Sequence, residues 1–406
     1  MNDATITVYG APWCPDCKRT KRFLSEQRVP YDWCDIDQDA DGLRYVEEAQ
    51  HGGRSIPMVV FDDGSFLVEP TDEEVARKLG LTLEPQRRSY DVVIVGGGPA
   101  GLAAAIYAAR EGIDAIVVER SGLGGQAGIT ERIDNYPGFP DGVKGAELAD
   151  RFIEQARRYG VELLAAVSAD SISADSSERG DIVVRLGGDQ EISAHAALIA
   201  TGSSYRRLGV PGEDSLIGAG VHFCATCDGP FYRGAGELMV IGGGNSAVDE
   251  GLFLRRFADR IRIVQREPEL SASPLLQDKV RSDPHFAVQV NAEVTELRGD
   301  GRLESVVIKD RATNEVRTEH PRAVFVFIGL DPNTGFLRDA IELDAHGFVA
   351  DRGGFRTSMD GVFVAGDVRQ GSTKQLGSAV GDGIAALLAM REYLQQHHQV
   401  SPHRED

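Results

Sequence analysis

The chain has 406 residues, 42% of them hydrophobic and 26% charged, with a net charge of −20 and a pI near 4.9. That length holds two to four domains at roughly 100–200 residues each. The acidic balance argues against a protein that coats nucleic acid or anionic lipid, since both are polyanions, so neither is expected as a partner.

Thr5 to Tyr9 alternate as a strand, without the basic start and apolar stretch of a secretory leader, and the cytoplasm is the expected compartment. Cys14 then opens a helix expected to reach about Gln27, Tyr31 to Ile36 forms a second strand, and a second helix follows. Met58–Phe61, Asp62-Asp63-Gly64 and Ser65–Val68 read as strand, turn and strand. Thr71-Asp72-Glu73-Glu74 opens a short last helix with acidic residues where the helix dipole favours them. Residues 81–89 then read as a linker reaching at most about 30 Å, a close tether that is not rigidly fused.

Beyond the linker a pattern occurs twice. Val92-Val93-Ile94-Val95 runs into Gly96-Gly97-Gly98-Pro99-Ala100-Gly101, and Leu238-Met239-Val240-Ile241 runs into Gly242-Gly243-Gly244-Asn245-Ser246-Ala247. Each is an apolar strand, a glycine turn and a helix, the context in which backbone can approach a pyrophosphate at a helix N-terminus. The charge-free run from Val92 to Ala109 approaches a membrane span in length, but its central glycines and proline break it into strand, turn and helix, so no membrane association is expected. Glu119 ends the strand after the first motif, placed to accept hydrogen bonds from a ribose. After the second motif the strand ends in Gln265-Arg266-Glu267, where Arg266 suits a 2′-phosphate and Glu267 a bare ribose.

Four of the five cysteines form two CxxC pairs, Cys14–Cys17 and Cys224–Cys227. In a reducing compartment such pairs are redox-active or metal-binding. Zinc sites place their pairs about 12–20 residues apart and these lie about two hundred apart, so no metal site is expected. Cys14 at a helix N-terminus, with Lys18, Arg19, Lys21 and Arg22 nearby, suits a thiolate nucleophile. Cys34 has no partner in sequence and is expected to be a buried, inert thiol.

From about residue 90 onward the chain resembles the low-molecular-weight, bacterial-type thioredoxin reductases, and the first 80 residues resemble glutaredoxins. The residues that carry the first likeness are His222-Phe223-Cys224-Ala225-Thr226-Cys227-Asp228-Gly229 just ahead of the second glycine motif, Gly124-Gly125-Gln126, Ala200-Thr201-Gly202 and Gly361 to Asp367. Trp13-Cys14-Pro15-Asp16-Cys17 and Ser55-Ile56-Pro57, the latter matching a cis-proline segment, carry the second. The implied architecture is α/β: a thioredoxin/glutaredoxin-like fold (1–80), a linker (81–89), and an FAD-binding Rossmann-like domain (90–206 and 326–406) interrupted by an NAD(P)H-binding domain (207–325) that holds the redox pair.

The resemblance assigns Gly96, Gly98, Gly101 and Glu119 to the adenosine and pyrophosphate of FAD, Gly125 and Gln126 to the flavin side, Asp367 to the ribityl chain or pyrophosphate, and Gln375 to the flavin ring. It assigns Gly242, Gly244 and Arg266 to NADPH, with NADH as the alternative. It also implies an NAD(P)H:disulfide oxidoreductase in which Cys227 faces the flavin, Cys224 attacks the incoming disulfide and Asp228 handles the proton. Electrons then pass to Cys14 and Cys17, and on to a redoxin or a small-molecule disulfide. Delivery to a peroxiredoxin in peroxide defence is the alternative, and a homodimer is expected. Two departures stand out. Asp16 replaces the Tyr usual in glutathione-using glutaredoxins, and Gln265, Arg266, Glu267 and Ser271 stand where NADPH-specific reductases usually carry His-Arg-Arg and a further Arg.

Overall fold

The computed structural model describes residues 6–130, 133, 135–175, 181–337 and 339–397, and excludes the side chains of Ile129, Asp189, Thr226 and Cys227. It divides into two compact units: Met1–Ile129 with Gly145–Gly202 and Pro332–Asp406, and Thr130–Lys144 with Ser203–Asp331. The N-terminal domain is therefore grouped with the first dinucleotide fold, and the insert runs wider than the 207–325 expected from sequence.

In the first unit the chain begins with β1 (Ile6–Gly10), α1 (Pro15–Glu26), β2 (Tyr31–Asp35), α2 (Ala40–Ala49), β3 (Met58–Val60), β4 (Phe66–Val68) and α3 (Asp72–Lys78). The sheet order is β2-β1-β3-β4, with β1 parallel to β2 and antiparallel to β3. Local sequence fixes the helix starts. Pro15 occupies the first turn of α1, where its missing N–H costs nothing. Thr71 and Glu74 form a reciprocal capping box on α3.

The segment expected as a close but not rigidly fused tether is held along its length. Leu83 packs against the apolar clusters of both the N-terminal domain and the sheet that follows. The Gln86 N–H donates to Glu162 (2.6 Å), and Arg87 grips Asp114 through two nitrogens (2.6 and 2.7 Å). A charge pair, a backbone hydrogen bond and an apolar anchor that a composition reading cannot see make this segment a strap.

The second sheet of this unit is built from β5 (Ser89–Val95), β6 (Ala115–Glu119), β7 (Glu162–Ala165), β8 (Ala169–Ala174), β9 (Ile182–Leu186) and β10 (Gln190–Ile199), in the order β7-β6-β5-β10-β9-β8. Helices α4 (Pro99–Arg110), α5 (Gly125–Ile129) and α6 (Gly145–Arg158) accompany it, and Val362–Val364 pairs in parallel with β10. The central strand β5 is apolar on both faces, as a covered parallel sheet requires: Val92 and Ile94 enter one core cluster, Val93 and Val95 the other. The C-terminal helix Leu376–His397 crosses α4 so closely that a Cβ on Gly383 would lie 2.1 Å from the Ala100 carbonyl oxygen.

The second unit repeats the plan. Its five-stranded parallel sheet runs Val221–His222, Val324–Val326, Ala235–Ile241, Ala258–Val264, Phe286–Gln289, and the helix Asn245–Leu254 follows the central strand. A three-stranded antiparallel sheet, Ala292–Arg298, Ser305–Asp310 and Val316–Glu319, completes it.

Candidate functional site

The first glycine turn lies between β5 and α4, and its glycines have separate reasons to lack a side chain. Gly96 has φ +113°, and a Cβ there would stand 2.3 Å from the Ala200 carbonyl oxygen. A Cβ on Gly101 would lie 1.9 Å from the Gly96 carbonyl oxygen, so the helix can approach the strand only without one. Gly98 is different: among the described residues, no atom beyond its two chain neighbours lies within 4 Å of its Cβ position. The space in front of the α4 N-terminus is thus open at the point where a pyrophosphate would meet unpaired backbone N–H groups, and the residues fit the dinucleotide that the sequence implies.

Glu119 ends β6 beside this turn. Its carboxylate accepts from the Gly97 N–H (2.7 Å) and the Ser121 N–H (2.8 Å), while burial pushes its pKa up against the lowering effect of those two bonds. A cavity of about 610 Å³ opens next to it, lined by Gly96, Glu119, Arg120, Thr201 and Asn333 among others. Asn333 had no signal in the sequence. Its amide donates to the Thr201 carbonyl and the Thr201 hydroxyl donates to the Asn333 carbonyl, both at 2.8 Å, joining segments 132 residues apart.

Gly125 and Gln126 open α5, and a Cβ on Gly125 would be 3.1 Å from the Cα of Gly98, so this segment borders the turn. Asp367 is largely buried, and burial raises its pKa while Lys374 opposes the shift. Lys374 folds back so that its ammonium donates to the Asp367 carbonyl, over the Phe348 ring (4.0 Å), and burial lowers its pKa. Gln375 directly precedes the C-terminal helix. Asp382, unread in the sequence, binds Arg369 and accepts from the Gly366 N–H (3.3 Å), bracing the Asp367 turn.

In the second unit Gly242, with φ +132°, passes 2.3 Å (Cβ position) from the Phe327 carbonyl oxygen, and around Gly244, among the described residues beyond its chain neighbours, only Ser271 Oγ comes within 4 Å, at 3.8 Å. Gln265 occupies the place that Glu119 holds in the first turn: each follows the middle glycine of its motif at the same spacing and abuts it, Gln265 Nε2 standing 2.5 Å from the Cβ position of Gly243. Arg266 is exposed, 3.1 Å from Glu267, and its carbonyl accepts from Arg311 Nη1 (2.8 Å).

The redox turn follows the strand Val221–His222. Cys224 is disulfide-bonded, and its carbonyl accepts from the Asp228 N–H (3.1 Å). Cys227, expected to face the flavin, has its side chain outside the described residues. The His222 ring is buried, 3.5 Å from the Asp228 carboxylate on one nitrogen and 2.6 Å from the Tyr232 hydroxyl on the other. The sequence motif contains His222 but does not reveal these two partners.

In the N-terminal domain Cys14 and Cys17 form a disulfide with Cα atoms 5.3 Å apart, and Cys14 Sγ, at the N-cap of α1, accepts from the Cys17 N–H (3.1 Å). The Ile56–Pro57 bond is cis, with the Ile56 carbonyl 3.8 Å from Cys14 Sγ. Trp13 is 68% exposed beside the pair. The basic run expected to add positive potential is mostly engaged elsewhere. Arg19 binds Asp72 (2.7 Å), Arg22 faces Glu26 (3.8 Å), and Lys21 lies over the Trp33 ring (4.1 Å). Cys34 is half-buried rather than buried, and burial with Asp39 pushes its thiol up to about 11.

Comparison with known proteins agrees with this geometry. The family described as pyridine nucleotide-disulphide oxidoreductase matches residues 90–383, and the family described as glutaredoxin matches residues 6–66. A thioredoxin reductase of Treponema pallidum is 39% identical over 305 residues, covering 75% of this chain and 97% of the relative. One from Mycolicibacterium smegmatis is 39% identical over 306 residues, covering 75% and 96%. The crystal structure of thioredoxin reductase from Streptococcus pyogenes superposes with a TM-score of 0.71 at 36% identity, covering 76% of this chain and 99% of that one.

Proposed function

The chain belongs to the pyridine nucleotide-disulphide oxidoreductase family, and we propose that it passes electrons from NADPH by way of FAD to the Cys224–Cys227 pair, and on to Cys14–Cys17 of its fused redoxin. The observation that carries this reading is the presence in one chain of two cradles left open at Gly98 and Gly244 together with disulfides at Cys14–Cys17 and at Cys224. When bound, the two nucleotides supply a hydride donor and a two-electron relay.

The chain's own residues divide the remaining work. Gly96, Gly98, Gly101 and the α4 N-terminus would hold the FAD pyrophosphate, Glu119 a ribose, and Gly125, Gln126, Asp367 and Gln375 the flavin end. Gly242, Gly244 and Arg266 would hold NADPH. At the position equivalent to Glu119, the neutral Gln265 presents no carboxylate to repel a 2′-phosphate, and the neighbouring Arg266 offers a cation.

Opening a disulfide with two electrons leaves two thiolates, which become thiols by taking two protons. Asp228, bonded through its backbone to Cys224 and facing His222, is the group we assign to proton transfer at that pair. Cys14 is the attacking sulfur of the redoxin, because the α1 N-terminus and the Cys17 N–H both favour its thiolate. Trp13 offers an exposed apolar contact beside it for the external acceptor, a redoxin, a peroxiredoxin or a small disulfide. We expect the assembled enzyme to be a homodimer.

Anaerobic titration of the yellow protein with NADPH and with NADH, followed by thiol counting, tests this reading. The expected result is flavin bleaching by NADPH at lower concentration and four new thiols. Cys224→Ser should abolish NADPH-dependent disulfide reduction with FAD still bound. Cys14→Ser should spare reduction of a small artificial disulfide and stop delivery through the redoxin. Full turnover in Cys224→Ser would sink the proposed route.

A further inference from the structure

The far end of α1 from the reactive cysteines meets the wall of the first dinucleotide cradle. Past the end of α1, Arg28 takes a left-handed backbone conformation (φ +55°) and extends its side chain onto the neighbouring fold. Its guanidinium reaches three acceptors there: Asp150 Oδ1 (2.7 Å), the Ala146 carbonyl (3.1 Å) and the Leu123 carbonyl (3.3 Å). The planar fork of arginine suits such divergent acceptors, and lysine could not span them. Alongside, the backbones touch directly, for a Cβ on Gly122 would lie 1.8 Å from the Glu26 carbonyl oxygen. No flexible side chain could relieve that contact.

The other side of this short segment belongs to the cradle. The Gly124 N–H donates to the Gly97 carbonyl (2.8 Å), the Leu123 side chain abuts the Cβ position of Gly97 (2.6 Å), and Gly125 borders Gly98. Residues 122–125 are thus gripped by the redoxin on one side and bonded to the glycine turn on the other. A clamp on the first contact restricts the second, and by linkage whatever orders the turn must favour the clamp by the same factor.

We propose that seating of the redoxin domain and occupancy of the first dinucleotide cradle are thermodynamically coupled through residues 122–125, with Arg28 a positioning residue for that cradle. The inference rests on the reading of the cradle as the FAD site. Two measurements on the full-length chain test it: FAD affinity of the deflavinated protein by quenching of flavin fluorescence, and amide hydrogen exchange over residues 24–31 with and without FAD.

Arg28→Ala should weaken FAD binding about tenfold, within the range usual for coupled sites. Gly122→Ala, which wedges the interface from the opposite side, should do the same. Arg44→Ala, which removes an exposed charge paired with Asp41 on α2, should leave the affinity unchanged. FAD should slow exchange over 24–31 in the wild type and much less in Arg28→Ala. Unchanged FAD affinity in both interface variants, or exchange over 24–31 that ignores FAD in the wild type, overturns the coupling while leaving the FAD site intact. A redoxin that is merely less stable, without a FAD-dependent difference in exchange, overturns it as well. A chain that takes up no FAD in any form refutes the reading of the cradle itself and the coupling with it.

Discussion

Alanine at Gly98 and alanine at Gly101 should injure the protein in opposite ways. At Gly101 the new Cβ would stand 1.9 Å from the Gly96 carbonyl oxygen, so helix and turn would have to separate by about 1.5 Å to reach an ordinary contact. The helix cannot simply slide away, because Gly383 of the C-terminal helix already approaches the Ala100 carbonyl oxygen on another side. Alanine returns ~1 kcal/mol of helix propensity, but overpacking of this kind costs ~1–3 kcal/mol or more, so the steric term wins. At Gly98 the backbone angles, φ −77° and ψ −175°, suit any residue, and among the described residues no atom beyond its chain neighbours comes within 4 Å of the new methyl group. The deflavinated protein should then lose less than ~1 kcal/mol, the scale of an N-cap change. The methyl group instead projects into the space read as the pyrophosphate site, and FAD affinity should fall on the order of 10- to 100-fold, or ~1.4–2.8 kcal/mol. Thermal unfolding of the deflavinated variants and FAD titration by fluorescence separate the two effects. Wild-type FAD affinity in Gly98→Ala, or a loss of apoprotein stability there as large as in Gly101→Ala, would refute the assignment.

Gly244→Ala should raise the KM for NADPH at least severalfold with FAD retained, since among the described residues beyond its chain neighbours only Ser271 Oγ approaches that position; steady-state kinetics with a small disulfide acceptor measures it. Gln265→Glu should restore the acidic group that Glu119 supplies in the first turn and shift kcat/KM towards NADH by about tenfold or more, and an unchanged ratio would argue against Gln265 as the discriminating group. Cys34, with its thiol pushed up to about 11, should be alkylated slowly at pH 8 and roughly ten times faster per pH unit up to that value, because the thiolate is the reactive form. Mass spectrometry of its peptide across a pH series reads this directly, and a plateau already at pH 8 would contradict the environment described.

The elements that the sequence announced are those whose cause is local. Two apolar strands each running into three glycines, an acidic strand end at Glu119, a cysteine ahead of a proline at a helix start, and Asp62-Asp63-Gly64 between two strands all carry their reason within a few residues. Elements with distant causes stayed silent. Asn333 reaches Thr201 across 132 residues, and Asp382 braces the turn at Gly366 from the C-terminal helix. The linker misled for the same reason. Its charged and proline-containing composition resembles a solvated tether, yet its partners Asp114 and Glu162 lie on other segments, beyond the reach of any window along the chain.

Helix α1 shows how tertiary partners redistribute a charge pattern. Read as a string, Lys18 to Arg22 look like an electropositive collar for Cys14 and a natural docking patch for an acidic neighbour. In the fold, Arg19 is tied to Asp72 of α3, Arg22 to Glu26 and Lys21 to Trp33, so most of the run stabilises its own domain. The charge that reaches the neighbouring fold is Arg28, which lies past the other end of the helix and meets Asp150 and the carbonyls of Ala146 and Leu123. The 12 residues of α1 span about 18 Å, so the helix separates the anchored end from the reactive end by that distance. One helix thus serves two ends without conflict: its N-terminus is capped by Cys14 beside an exposed Trp13, and its far end meets residues 122–125 at the glycine turn. The net charge of −20 on the whole chain does not oppose this arrangement, because a partly buried, three-acceptor arginine is far less screened than surface charges a Debye length apart.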